Sequence, residues 1–277
     1  MTRTAGIVGA APRSGARRLV FGGVLVLSAT VTLAFLAIPL LALLAEAPLG
    51  DVPSLLGDPV MRDIVVVTMR TNAIANLLIL GFGTPTAYLF ATRRFPGRAL
   101  AITLVELPLV LPPAVAGIGL LAAFGAGGLL GNELQSAGIV LPFSEWAVVM
   151  AVTFVASPFY VRQAIASFEG IDPLLPAASR TLGAGPTRTF LRVSLPLAAS
   201  GLVAGWVLAF ARGIGEFGAT IVFAGNVHGE TQTLTLGIYE QLEADYDLAL
   251  AIGALLVALS GLILLTYKLV TAWRGLS

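Results

Sequence analysis

The chain has 277 residues, of which 57% are hydrophobic and only 11% charged, with a mean hydropathy of +0.93 and a net charge of +1. That little charge cannot clothe a globule in water, where about a quarter of residues are usually charged, but it suits a chain solvated by lipid. A net charge near zero gives no case for nucleic-acid binding, and the lack of cysteine excludes disulfides, thiolate metal sites and cysteine nucleophiles.

A helix needs roughly 20 apolar residues to cross the hydrocarbon core, and six stretches of the chain reach that length. Residues 19–45 carry no charge and hold Pro39 near their end. This run follows Arg17-Arg18 but far exceeds the roughly 7–15 residues of a signal-peptide core, so a retained span is expected. Residues 64–92 come next, interrupted by Arg70. Residues 99–124 contain Glu106 and three prolines, Pro108, Pro112 and Pro113. Residues 146–168 hold Arg162 near their end, 197–224 hold Arg212 and Glu216, and 248–270 have Lys268 at their edge. The expected fold class is an all-α membrane protein with six transmembrane helices. A single membrane domain would fill 19–270, with a cytoplasmic loop at 169–196 and tails at 1–18 and 271–277. No internal repeat is visible.

Charge sets the expected orientation. One side holds Arg3, Arg13, Arg17, Arg18, Arg93, Arg94, Arg98, Arg180, Arg188, Arg192 and Arg274, and the other holds Arg62 alone. Counting Lys and Arg puts both termini in the cytoplasm. The opposite loops carry Glu46, Asp51, Asp58, Asp63, Glu133, Glu145, Glu230, Glu240, Glu243, Asp245 and Asp247, a bias that agrees.

Ionisable groups inside spans are costly and mark function by default. Arg70 is expected to snorkel outward. Glu106 has no sequence-local partner, which leaves protonation or an arginine from another helix. Arg212 and Glu216, four apart, can pair on one helical face, and Gly213, Gly215, Gly218 and Ala219 beside them would admit a close neighbour. The prolines of span three remove amide donors, giving either a kinked structural helix or a broken segment lining a path. Gly117, Gly119, Gly125, Gly127 and Gly128 just beyond favour the broken segment. His228, the one histidine, is expected to be solvated in an outer loop.

Between spans four and five, Asp172-Pro173 fits an N-cap and first helical position, and Gly183 fits the residue that ends a short helix. Leu174, Leu175, Ala178 and Leu182 share a face at helical spacing. Gly185-Pro186 restarts the chain, Arg188 and Arg192 lie four apart, and Leu195-Pro196 leads into span five. The residues alone leave two readings: an amphipathic helix on anionic lipid with arginine anchors, or a docking element for a soluble partner.

Here the sequence resembles a known family. Arg180-Thr181-Leu182-Gly183-Ala184 followed by Phe190-Leu191-Arg192-Val193-Ser194-Leu195-Pro196 is similar to the Glu-Ala-Ala loop of ABC importer permeases. Two further strings narrow the resemblance to the molybdate permease branch, close to the sulfate and tungstate permeases. The first is Leu107-Pro108-Leu109-Val110-Leu111-Pro112-Pro113-Ala114-Val115-Ala116-Gly117. The second is Phe210-Ala211-Arg212-Gly213-Ile214-Gly215-Glu216-Phe217-Gly218-Ala219-Thr220, continued by Gly229-Glu230-Thr231. The resemblance runs from about residue 64 to 265. One departure is plain: residues 175–178 read Leu-Pro-Ala-Ala, without the acid that names the loop.

The resemblance implies a type I ABC importer permease in the inner membrane of a prokaryote, paired with a second permease subunit as a homodimer. It further implies two cytoplasmic ATP-binding subunits and an extracytoplasmic oxyanion-binding protein. Coupling to the ATPase would fall to Asp172, Ala177, Ala178, Arg180, Leu182, Gly183, Leu195 and Pro196. The translocation pathway would involve Arg212, Glu216, Thr220, Pro112 and Pro113. The implied cargo is molybdate or tungstate, with sulfate or thiosulfate as the alternative. ATP and magnesium would sit on the partner ATPase and no cofactor on this chain. The sequence agrees that the motor lies elsewhere: its one lysine, Lys268, has no glycine-rich loop, so no P-loop can form. A self-sufficient channel or secondary transporter is the second class, disfavoured by the missing inverted repeat. An intramembrane enzyme lacks a nucleophile–base set.

Overall fold

The computed structural model describes residues 14–48, 50, 57 and 59–275, so expectations for the first thirteen residues, Asp51, Asp58 and the last two residues fall outside the described part. The chain divides into two units, 1–46 and 47–277. The first unit contains helix α1 (Ser14–Glu46), with Pro39 inside it. It begins five residues before the apolar stretch at 19, taking in Ser14 to Arg18.

Helices are the only regular secondary structure among the described residues of the second unit. Helix α2 spans Pro59–Thr92, α3 Arg98–Val110, α4 Pro113–Phe124, α5 Gly131–Ser136 and α6 Glu145–Glu169. After these come α7 (Leu174–Thr181), α8 (Pro186–Thr189), a π-helical turn (Phe190–Ser194), α9 (Leu195–Ile214), α10 (Gly218–Phe223), α11 (Leu234–Ala244) and α12 (Tyr246–Gly275). Among the described residues five helices are long and apolar enough to cross a membrane, or six if the bent pair α3–α4 counts as one span.

Two expected spans are broken. In the third, α3 and α4 meet at 119° instead of forming one kinked helix. Pro108 sits inside α3, so the break falls at Leu111-Pro112, both extended in ψ, after which Pro113 starts a new helix. At 1.5 Å per residue the 13 residues of α3 reach ~20 Å, short of the ~30 Å core. The fifth span does not run from 197 to 224: α9 ends at Ile214 and α10 is a separate six-residue helix.

Cross-helix pairs fix the directions. Arg70 meets Glu145, Thr84 Oγ1 lies 2.6 Å from Tyr160 Oη, and the rings of Tyr88 and Phe168 are 5.2 Å apart. Both numbers rise together, so α2 and α6 are parallel. Arg98 pairs with Glu169 at 2.7 Å and Glu106 with Arg162 at 3.1 Å, so α3 runs antiparallel to α6. Arg70 therefore does not snorkel freely as expected but pairs with a carboxylate at the start of α6. Glu106 takes the second of its expected alternatives, an arginine from another helix.

Helix α6 is the hub, packing on α2, α3, α9 and α10. Because lipid is as apolar as leucine, close backbone approach must supply the attraction. Gly201 and Gly205, one turn apart on α9, provide it: a Cβ at Gly201 would overlap Ser167 Oγ, and one at Gly205 would lie 3.0 Å from Gln163 Cβ. On α2, Gly83 does the same against Tyr160.

Candidate functional site: a broken helix pair and a capped loop helix

Arg212 lies in the last turn of α9, and Glu216 lies beyond its end, two residues before α10. The expected pair therefore forms, but not along one helix. Arg212 Nη2 approaches Glu216 Oε2 at 2.6 Å across the break, and Glu216 Oε1 accepts from Ala219 N at 2.7 Å. Each charge suits its helix end, a cation at the C-terminus of α9 and an anion at the N-terminus of α10. Glu216 is 1% exposed and Arg212 26%. Nη2 is the one guanidinium nitrogen engaged among the described residues, so Nε and Nη1 keep their donors free.

The break is clamped by small residues. A Cβ at Gly218 would lie 2.7 Å from Pro113 Cβ, and one at Gly117 would lie 2.8 Å from Val222 Cβ and 2.9 Å from Ala219 O. The two interrupted segments, α3–α4 and α9–α10, thus meet at their breaks. A Cβ at Gly213 would overlap Asn72 Oδ1, whereas Gly215 has no close neighbour beyond its own helix. Of the expected pathway residues, Pro112 and Pro113 are exposed and Arg212 is part-exposed, but Glu216 and Thr220 are buried, the Thr220 hydroxyl without a hydrogen-bond partner.

A buried polar seam on α2, unforeseen from the sequence, holds the break in place. Asn72 Nδ2 donates to Phe210 O at 3.1 Å, and Asn76 Nδ2 donates to Asn72 Oδ1 at 2.9 Å. Thr68 Oγ1 accepts from Leu234 N at 2.9 Å, and Thr235 Oγ1 donates to Glu216 O at 2.6 Å. The available signal was spacing: Thr68, Asn72 and Asn76 recur every four residues along one face of α2.

The loop before α9 is built as its residues dictate. Asp172 Oδ1 accepts from Leu174 N at 2.9 Å and Pro173 already has helical angles, so Asp172 caps α7. At the other end Gly183 has φ +86° and its N donates to Arg180 O at 2.9 Å, while Ala184 N donates to Ser179 O at 3.1 Å. This double bond is the Schellman stop, which needs a left-handed residue. The helix proper is 174–181, inside the expected 172–183 whose ends are its caps. Leu174 on α7 and Leu182 just past its end are 72% and 88% exposed, so apolar side chains stand uncovered there among the described residues. Ala177 and Ala178 are exposed, and Leu195-Pro196 opens α9 directly after the π turn.

His228 is not simply solvated as expected. Its Nε2 lies 3.2 Å from Glu240 Oε1 and its Nδ1 3.2 Å from Gln232 Oε1, while Asn226 and Gln232 donate to the other Glu240 oxygen. No group of three or more metal-ligating side chains exists among the described residues.

The family described as binding-protein-dependent transport system inner membrane component matches residues 80–272. The chain is 42% identical over 243 residues, 86% of its length and 90% of the relative, to the molybdenum transport system permease protein ModB of Mycobacterium tuberculosis. It is 34% identical over 229 residues, 81% of its length and 80% of the relative, to a probable sulfate transport system permease of Chlorokybus atmophyticus. Among solved structures, a bacterial ABC transporter that imports the acidic polysaccharide alginate superposes with a TM-score of 0.73. At 16% identity, the match covers 93% of this chain and 96% of that one. That likeness speaks for the fold alone.

Proposed function

Because the chain belongs to the binding-protein-dependent transport system inner membrane component family, we propose that it is the permease subunit of an ATP-driven ABC importer for a tetrahedral oxyanion. Molybdate is the leading cargo and tungstate the nearest variant. The observation that carries this reading is 42% identity sustained over 86% of the chain to a molybdenum permease. The sulfate-permease relative, at 34%, keeps sulfate or thiosulfate as the second reading.

In this reading the bent pair α3–α4 counts as the third of six spans, within a permease domain of 19–270. Both termini and the loop at 169–196 face the cytoplasm, and the cell's inner membrane holds the protein. Two copies form the pathway. A pair of separate ATPase subunits binds ATP and magnesium and receives α7, and a binding protein delivers the anion from outside. The permease itself catalyses no reaction.

The physical argument for the route runs through Arg212. A lone arginine in mid-membrane costs at least ~2.5 kcal/mol on insertion scales. Glu216 offsets that cost but engages only Nη2, and an arginine's remaining planar donors match two oxygens of a tetrahedral anion. The helix break beside it is irregular backbone, which tolerates lipid depth where it is buried or lines a wet cavity.

A deletion strain tests the assignment. Cells lacking this gene should lose uptake of trace radiolabelled molybdate and regain it with the gene alone. Unchanged molybdate uptake with lost sulfate uptake would move the assignment to the second reading.

A further inference from the structure

We propose that Arg162, held by Glu106 beneath the two helix breaks, is a second anion-binding station, which takes the tetrahedral oxyanion after Arg212. This rests on the oxyanion-import reading above and adds a residue to it.

Position follows from spacing along α6. Val148, Val155, Arg162 and Glu169 recur every seven residues, so they share one face. Val148 and Val155 are buried in one cluster with Ala116 and Leu120 of α4 and Ala219 and Phe223 of α10. The two short helices beyond the breaks thus roof that part of the face. Two turns on from Val155 the roof has ended, and the side chains of Arg162 and Glu169 are 60% and 48% exposed.

The open stretch is a trough with two walls. On one side Glu106 and Arg98 of α3 reach Arg162 and Glu169. On the other, Gly201 and Gly205 of α9 lie against Ser167 and Gln163. Helix α2 takes the far side of α6, through Gly83 against Tyr160 and Val161. Arg162 therefore lies on the floor between α3 and α9. Gly205 and Arg212 are also seven apart, on the face of α9 laid against α6. Seven residues at 1.5 Å place Arg212 ~10 Å nearer the breaks than Gln163, and hence than Arg162 beside it.

The chemistry suits a passing anion. Arg162 meets Glu106 through Nε at 3.1 Å, so the outer nitrogens, Nη1 and Nη2, remain for two oxygens of a tetrahedral anion. Glu106 lowers the cost of the cation, and its own charge weakens the hold on an arriving anion. A conducting route needs such sites, strong enough to enter and weak enough to leave. The Arg212–Glu216 pair has the same make-up, one arginine with spare donors and one carboxylate.

Ala166, one turn beyond Arg162 on the same face and exposed, is the probe position. The transporter, assembled with its ATPase subunits in nanodiscs without ATP, carries Ala166→Cys. Alkylation of that cysteine by iodoacetamide is followed by mass spectrometry with and without molybdate or sulfate. The thiol should react as a water-exposed one does, and saturating molybdate should slow it about threefold or more. Arg162→Gln should remove the protection and Arg162→Lys should keep part of it. Glu106→Gln, which leaves Arg162 in place, should bring protection at an about tenfold lower molybdate concentration. A thiol that does not react overturns the proposal, because that face then meets lipid or protein. So does protection that survives Arg162→Gln in an intact complex. Absence of protection by either anion, in a transporter whose molybdate uptake is normal, overturns the station and leaves the import reading standing. Protection by sulfate in place of molybdate, with the same dependence on Arg162, supports the station and moves the cargo to the second reading.

Discussion

Arg212 Nη2 and Glu216 Oε2 lie 2.6 Å apart across the gap between α9 and α10, so two helix ends share one ion pair with the carboxylate fully buried. Replacing Arg212 by Gln removes the cation and its free donors together. Uptake per assembled transporter should fall by about tenfold or more, equivalent to ~1.4 kcal/mol. Arg212→Lys, which keeps the charge and loses the fork, should fall between Gln and the unaltered chain. Reduced assembly with normal uptake per transporter in Arg212→Gln would mark the pair as a structural lock.

Packing at the two breaks is open to a matched comparison. A Cβ at Gly117 meets Val222 and the Ala219 carbonyl below 3.0 Å, whereas one at Gly119, half a turn away, meets nothing. Gly117→Ala should lower stability by about 1–3 kcal/mol through overpacking. Gly119→Ala should hold or gain a few tenths, since alanine is the better helix former. Thermal unfolding of the purified protein in detergent reads both, and equal melting temperatures would refute the close contact between α4 and α10.

Gly183 isolates the end of α7. Its φ of +86° disfavours any side chain, yet there is open space around it. Gly183→Val should therefore add ~1–2 kcal/mol of backbone strain without a clash and re-aim the end of the helix. ATPase activity stimulated by the binding protein should drop while the subunits still co-purify. Unchanged stimulation would separate α7 from coupling.

Much of this was readable in the chain because the signals are local. Apolar length located the five long membrane-type helices, Asp172 and Gly183 gave both ends of α7, and Pro112-Pro113 marked the break in the third stretch. What escaped was set by contacts between distant residues. Arg70 finds Glu145 and Glu106 finds Arg162 only because α2 runs parallel to α6 and α3 against it, a register no single helix encodes. The end of α9 at Ile214 was hidden for a related reason. The string from Gly213 to Thr220 is apolar enough to read as one continuing span, but Glu216 turns its carboxylate onto Ala219 N and restarts the chain as α10.

The topology proposed from the arginine count can be read without native cysteine in the way. Both Arg180 and Glu243 are exposed. An impermeant thiol reagent on intact cells should label Glu243→Cys and should reach Arg180→Cys only after permeabilisation. Labelling of position 180 from outside would invert the orientation.

The central claim is ATP-driven oxyanion import, and reconstitution addresses it most directly. Proteoliposomes would carry this chain with its ATPase, enclosed ATP and magnesium, and external binding protein loaded with labelled molybdate. Molybdate should accumulate against its gradient, and removal of ATP or of the binding protein should abolish accumulation. Equal molybdate flux by this chain alone, without ATPase or ATP, would contradict the account and make the protein a self-sufficient channel.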